Sequence, residues 1–253
     1  MVKRSTSQPS PLSPTLWPSE AFTWKRSLAF FGLLVAAFML GQLLDAVLAK
    51  GFLGTTNQDL LSGRLTWGIA IGQYVSYVPL LVLLFGWLPW VSRRSLRELG
   101  LGPIDGPTFL AGVVGAIAMY AATIGAANIQ YAFTRAKPQE AALTLFSSTH
   151  DTALLVTFAI LAALAAPFVE EFIFRGFLFN ALLRYTPVWV AAIVSGCVFG
   201  ISHGSPSAFL PLACSGVVLA YVYYVSGSLT AAMLTHGLFN VINVVLLVFL
   251  KQG

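Results

Sequence analysis

Two carboxylates stand side by side at Glu170 and Glu171, inside the otherwise apolar run Ala165-Ala-Pro-Phe-Val-Glu-Glu-Phe-Ile-Phe-Arg-Gly176. A charge at the bilayer centre costs about 2.5–3.5 kcal/mol on insertion scales, so ionisable groups there are rare and usually functional. Residues four apart share one face of a helix. Glu171 and Arg175 have that spacing, as do Phe199 and His203, and His236 and Asn240. The spacing predicts an ion pair between Glu171 and Arg175, which makes one buried carboxylate tolerable. Glu170 lies about 100° further round the helix, away from that partner and suited to act as a general base.

Taken singly, His203 reads equally well as a capping histidine beside a Gly and Pro break. His236 alone reads as hydrogen-bonded packing between helices. Together with the glutamates they suggest a reaction. Hydrolysis of a peptide bond needs an activated water and donors for the developing oxyanion. Glu170 and His203 can hold and deprotonate the water, and His236 and Asn240 can donate to the oxyanion. A metal is the alternative, because Glu170, His203 and His236 have the His₂Glu composition of some catalytic zinc sites. No HExxH helix is present. Asn240 is an amide donor and not a good zinc ligand, and Arg175 already supplies positive charge. The expectation is therefore a site without a cofactor, with zinc as the second reading.

The ordered set Glu170-Glu171-Phe-Ile-Phe-Arg175, Phe199-Gly-Ile-Ser-His203 and His236-Gly-Leu-Phe-Asn240 resembles the CPBP family of intramembrane proteases, which includes the Ras-converting CAAX endopeptidase. The stretch Arg97-Glu-Leu-Gly-Leu-Gly-Pro103 is similar to a connector recurrent in that family. The resemblance implies that Glu170 activates water with His203, that Glu171 and Arg175 organise the site, and that His236 and Asn240 stabilise the oxyanion. It also implies a helical bundle and a membrane-associated peptide or protein substrate. Some family members act instead in bacteriocin immunity or as scaffolds. A proton-coupled transporter, with the same side chains as a relay, is a further alternative.

The elements that must carry these residues are membrane helices. Of 253 residues, 57% are hydrophobic and 9% charged, against about a quarter charged in soluble domains. Apolar segments at 28–48, 65–91, 109–133, 153–169, 188–201, 208–225 and 229–250 approach or reach the ~20 residues a span needs. The fold expected is an all-α polytopic transmembrane bundle of seven to eight spans, the eighth being residues 172–183 if they form an element of their own. The net charge of +5 does not indicate nucleic acid, because the basic residues sit at span ends. Lys3, Arg4, Lys25 and Arg26 precede the first span, and Arg93, Arg94 and Arg97 follow the second. By the positive-inside rule the N-terminus is cytoplasmic, in what we expect to be the cell inner membrane. Oligomeric state is left open.

The chain divides into a disordered Ser- and Pro-rich tail at 1–26, N-terminal transmembrane helices at 27–96, and a catalytic core at 97–253. Residues 92–103 read as a short interfacial helix ended by Gly100, Gly102 and Pro103. Cys197 and Cys214 read as small hydrophobes within spans and not as a disulfide. The spacings Gly68 to Gly72 and Gly196 to Gly200 predict close helix approaches. Asp45, the other acid within a span, reads as structural, paired with an arginine or wetted at the interface.

Overall fold

Helix starts and stops in this chain follow from local chemistry that the apolar runs do not contain. Asp105 Oδ1 accepts from Thr108 N at 2.9 Å and opens the helix Gly106–Thr134. Asp151 Oδ1 accepts from Ala153 N and Leu154 N at 2.9 and 3.2 Å and opens the helix that carries the glutamate pair. Each carboxylate satisfies backbone N–H groups that the first turn leaves orphaned. Gly227, at φ 64°, ends the helix before the last turn in the left-handed conformation that glycine adopts without strain.

The computed structural model describes residues 24–62, 64–87, 100–135 and 148–251. These form α1 (Trp24–Gly51), α2 (Asn57–Ser62), α3 (Trp67–Ser76), α4 (Val78–Leu81, continued by a π-helical turn Val82–Trp87) and α5 (Gly106–Thr134). Then come α6 (Thr152–Ile160), a π segment Leu161–Ala165, α7 (Ala166–Glu171), a second π segment Phe172–Phe179 and α8 (Asn180–Leu183). The chain closes with α9 (Val188–Ser202), a 3₁₀ turn, α10 (Phe209–Ser226) and α11 (Leu229–Lys251). No strand occurs among the described residues, as the all-α expectation requires.

Among the described residues, six helices are long and apolar enough to cross a membrane, and α9 is a shorter apolar helix. Residues 172–183 are not a separate eighth element. They continue α6 and α7 as one run, Thr152–Leu183, so the glutamate pair lies in the interior of a span and not at its end. The N-terminal tail to residue 23, and residues 92–99 of the expected interfacial helix, lie outside the described residues. The two glycines that close that segment are described, and they dock on α11. Gly100 O accepts from Leu229 N at 2.9 Å, and Gly102 N donates to Thr230 Oγ1 at 3.1 Å.

Small residues set the packing, as their spacing predicts. A Cβ at Gly68 would meet Thr55 Oγ1 and one at Gly72 would meet Asp45 Oδ1, so α3 lies directly on the preceding segment. A Cβ at Gly196 would stand 2.6 Å from Ala213 O, and one at Gly200 would stand 3.0 Å from Phe209 O. This is the α9–α10 contact. Asp45 is paired with an amide and not an arginine, since Gln73 Nε2 donates to Asp45 Oδ2 at 3.1 Å. Cys197 and Cys214 are free thiols.

Candidate active site

Pro167 shapes the wall on which the glutamates stand. Ala166 N–H donates to Leu161 O, five residues back. In that register the next carbonyl, Ala162, faces residue 167, which is proline and has no N–H to give. Asn240 supplies the missing donor, and its Nδ2 reaches Ala162 O at 2.7 Å. The π segments on either side of α7 are local over-widenings of the helix, a feature frequent at functional sites.

Glu171 and Arg175 are fully buried and joined at 3.0 Å, the predicted i, i+4 pair. The same oxygen, Glu171 Oε1, takes His236 Nδ1 at 2.9 Å. Arg175 Nη2 donates to Gly216 O on α10 at 2.9 Å, and its guanidinium lies 4.8 Å from the centre of the Phe199 ring. Phe199 therefore has a part that its motif position alone did not reveal. Its ring also contacts the His203 ring at 4.6 Å and the His236 ring at 5.7 Å between centroids. One buried aromatic thus packs against the arginine and both histidines.

His203 caps the short helix α9. Fifteen residues rise about 22 Å, less than the ~30 Å of a bilayer core. The helix stops at Ser202, and Gly204 turns the chain at φ 63°. His203 Nδ1 meets Phe199 O at 2.8 Å. A carbonyl only accepts, so Nδ1 carries the proton, and in the neutral ring Nε2 is left as an acceptor. The loop that follows is held by Gln130, which donates to Ser207 O and accepts from Leu210 N.

Glu170, His203, His236 and Asn240 line one cavity of about 360 Å³. Glu171 and Arg175 are not among its lining residues and stand behind it. Glu170 Oε2 is buried and makes no hydrogen bond among the described residues. The two neighbouring carboxylates are thus on different duties, one locked in an ion-pair network and one on the cavity wall. Among the described residues, no group of three or more His, Cys, Asp or Glu side chains converges as a metal site.

Five polar cavity residues were not singled out by spacing, one of them Ser215 on α10. Gln73 and Tyr77 come from the N-terminal helices, Thr123 from α5 and Asn243 from α11. Asn243 lies three residues beyond Asn240 and was visible as a polar residue in an apolar span.

Fold and site define a polytopic helical membrane protein with a buried Glu–Arg–His network behind a polar-edged cavity. Residues 152–242 match the family described as "Type II CAAX prenyl endopeptidase Rce1-like". That stretch contains all six motif residues. The chain is also similar to the Bacillus subtilis protein "Putative membrane peptidase YdiL", with 23% identity over 192 residues that cover 76% of this chain and 75% of the relative. No solved structure matches. Both matches support the CPBP resemblance drawn from the motifs.

Proposed function

We propose that this protein is an intramembrane endopeptidase that hydrolyses peptide bonds of membrane-associated proteins or peptides, in the manner of the CAAX-type proteases it resembles. The observation that carries the reading is the meeting of Glu170, His203, His236 and Asn240 on one cavity, with Glu171 and Arg175 buried behind them. Residues 97–253 form the catalytic core, and the helices of 27–96 add part of the wall. The protein resides in the cell inner membrane with its N-terminus in the cytoplasm, as the basic residues at span ends suggest.

In the proposed reaction a water held between Glu170 and His203 Nε2 gives its proton to Glu170 as its oxygen bonds the scissile carbonyl carbon. The carbonyl oxygen becomes an oxyanion. His236 can donate to it from Nε2 only as an imidazolium, because its Nδ1–H is already committed to Glu171. The Glu171 carboxylate stabilises that cation. Asn240 has a second amide N–H beyond the one given to Ala162. The C–N bond then breaks, the proton on Glu170 passes to the leaving amine, and the new acid gives the second water proton to that amine, so that a carboxylate and an ammonium are released. No step requires a metal.

The experiment is cleavage of a peptide library by purified protein in lipid vesicles. Glu170→Gln should lower the rate by about 10²–10⁴-fold, the usual contribution of a positioned base. Unchanged cleavage by a folded Glu170→Gln protein would overturn the mechanism. Solute flux without any hydrolysis would turn the same residues into a transport relay.

A further inference from the structure

The cavity has more hydrogen-bonding capacity than the motif residues use, and its sense is fixed. Gln73 Nε2 donates to Asp45 Oδ2 at 3.1 Å. A carboxylate can only accept, so the amide is oriented with its carbonyl oxygen Oε1 as the free end. Close approach at Gly72 brings Asp45 into reach, since any larger residue there would collide with the carboxylate. Tyr120 of α5 places its hydroxyl 2.8 Å from Asn243 Oδ1 and 3.3 Å from Phe239 O, both on α11, and its one proton goes to the nearer acceptor, Asn243 Oδ1. That leaves the Asn243 amide N–H₂ as the free end. Neither free end makes a hydrogen bond among the described residues, and both residues line the cavity.

The other polar pair in the wall is already satisfied. Thr123 donates to Met119 O at 2.7 Å, and Ser215 donates to Pro211 O at 2.9 Å. Besides the Tyr77 hydroxyl, what remains open beyond the motif set is one oriented acceptor on α3 and one oriented donor on α11.

From these two amides we infer that Gln73 and Asn243 read the backbone of an extended substrate segment beside the scissile bond, Gln73 Oε1 accepting a substrate N–H and Asn243 Nδ2 donating to a substrate C=O. The inference rests on the proteolytic reading and names the form in which the substrate is held. A peptide bond inside a helix has its N–H and C=O engaged, and in an apolar medium those groups cannot be released without replacement partners. A segment opened for cleavage therefore needs one donor and one acceptor from the wall. Asp45 and Tyr120 are positioning residues that hold the two amides in the required sense. Asn243 lies about one turn beyond Asn240, and Val244 and Leu247 next to it pack against Leu65, Ile69 and Leu154, so the segment extends from Glu170 toward the end of the bundle where α3 and α6 begin.

The test couples substrate and protein changes, so that a folding defect cannot imitate the result. A quenched-fluorescent peptide that the wild-type protein cleaves is resynthesised as a set of depsipeptides, each with one backbone N–H replaced by an ester oxygen. One position in the set should raise KM about tenfold in the wild type, the loss of roughly one hydrogen bond, with kcat nearly unchanged. The same ester should have no further effect in Gln73→Leu. Asn243→Asp, which keeps an acceptor for Tyr120 and removes the N–H₂, should raise KM similarly. An ester penalty of equal size in wild type and Gln73→Leu would overturn the assignment of Gln73. An unchanged KM in Asn243→Asp would overturn that of Asn243. In both of those cases the wild type still cleaves, so the proteolytic reading survives; absence of any cleavage by the wild type would remove that reading itself.

Discussion

His236 and Glu171, 65 residues apart in sequence, share a hydrogen bond of 2.9 Å between Nδ1 and Oε1. Arg175 Nη1 reaches the same oxygen at 3.0 Å. One carboxylate thus pairs with Arg175 and fixes the ring of a histidine that lines the cavity. The consequence is a division of labour that can be separated by mutation.

Glu171→Gln removes the carboxylate hydrogen-bonded to the buried Arg175 guanidinium. Removing one partner of a buried ion pair costs about 3–5 kcal/mol, and both side chains here are fully buried. We expect a large fall in the thermal midpoint of Glu171→Gln in detergent. Glu170→Gln should leave the midpoint near that of the wild type, since no described residue bonds Glu170 Oε2. Equal destabilisation by the two substitutions would show that the glutamates are not divided in this way.

Asn240 has a structural bond as well as its proposed catalytic one, and a second site separates them. Asn240→Ala strands the Ala162 carbonyl that Pro167 cannot serve. An unsatisfied buried acceptor costs about 1–3 kcal/mol. It should also slow cleavage by about 10²–10³-fold if the second N–H serves the oxyanion. Adding Pro167→Ala returns a backbone N–H to the register, so stability should recover while the rate stays low. Recovery of both would reduce Asn240 to a structural role.

Much of this was legible from spacing. The Glu171–Arg175 pair, the shared face of His236 and Asn240, and the close approaches at Gly68, Gly72, Gly196 and Gly200 all follow from helix periodicity. The continuity of the helix through residues 152–183 did not follow, because an apolar run in a membrane has no polar face to mark its turns. Nor did the Asp45–Gln73 and Glu171–His236 bonds, since neither partner is on the same helix. Periodicity places groups on a face, and only packing decides which faces meet.

Chelation tests the cofactor expectation directly. With water activated by Glu170 and His203 alone, cleavage should continue at the same rate after incubation with EDTA and with 1,10-phenanthroline. Loss of activity that zinc alone restores would assign Glu170, His203 and His236 to a metal, as the second reading from composition had it.

Gly216 joins helix packing to the site. A Cβ there would stand 2.7 Å from Gly196 Cα, a backbone atom that cannot rotate away, so Gly216→Ala must push α10 from α9. Overpacking of this kind costs about 1–3 kcal/mol. The carbonyl of Gly216 is also the acceptor for Arg175 Nη2, so the same displacement loosens the guanidinium that holds Glu171. We expect Gly216→Ala to lower both the thermal midpoint and the cleavage rate. Gly125→Ala is the control, because a Cβ at that position meets nothing within 4 Å. It lies inside α5, where replacing glycine by alanine gains about 0.5–1 kcal/mol of helix stability, and activity should be unchanged. A Gly216→Ala protein as stable and active as the wild type would mean that the α9–α10 contact does not set the position of Arg175.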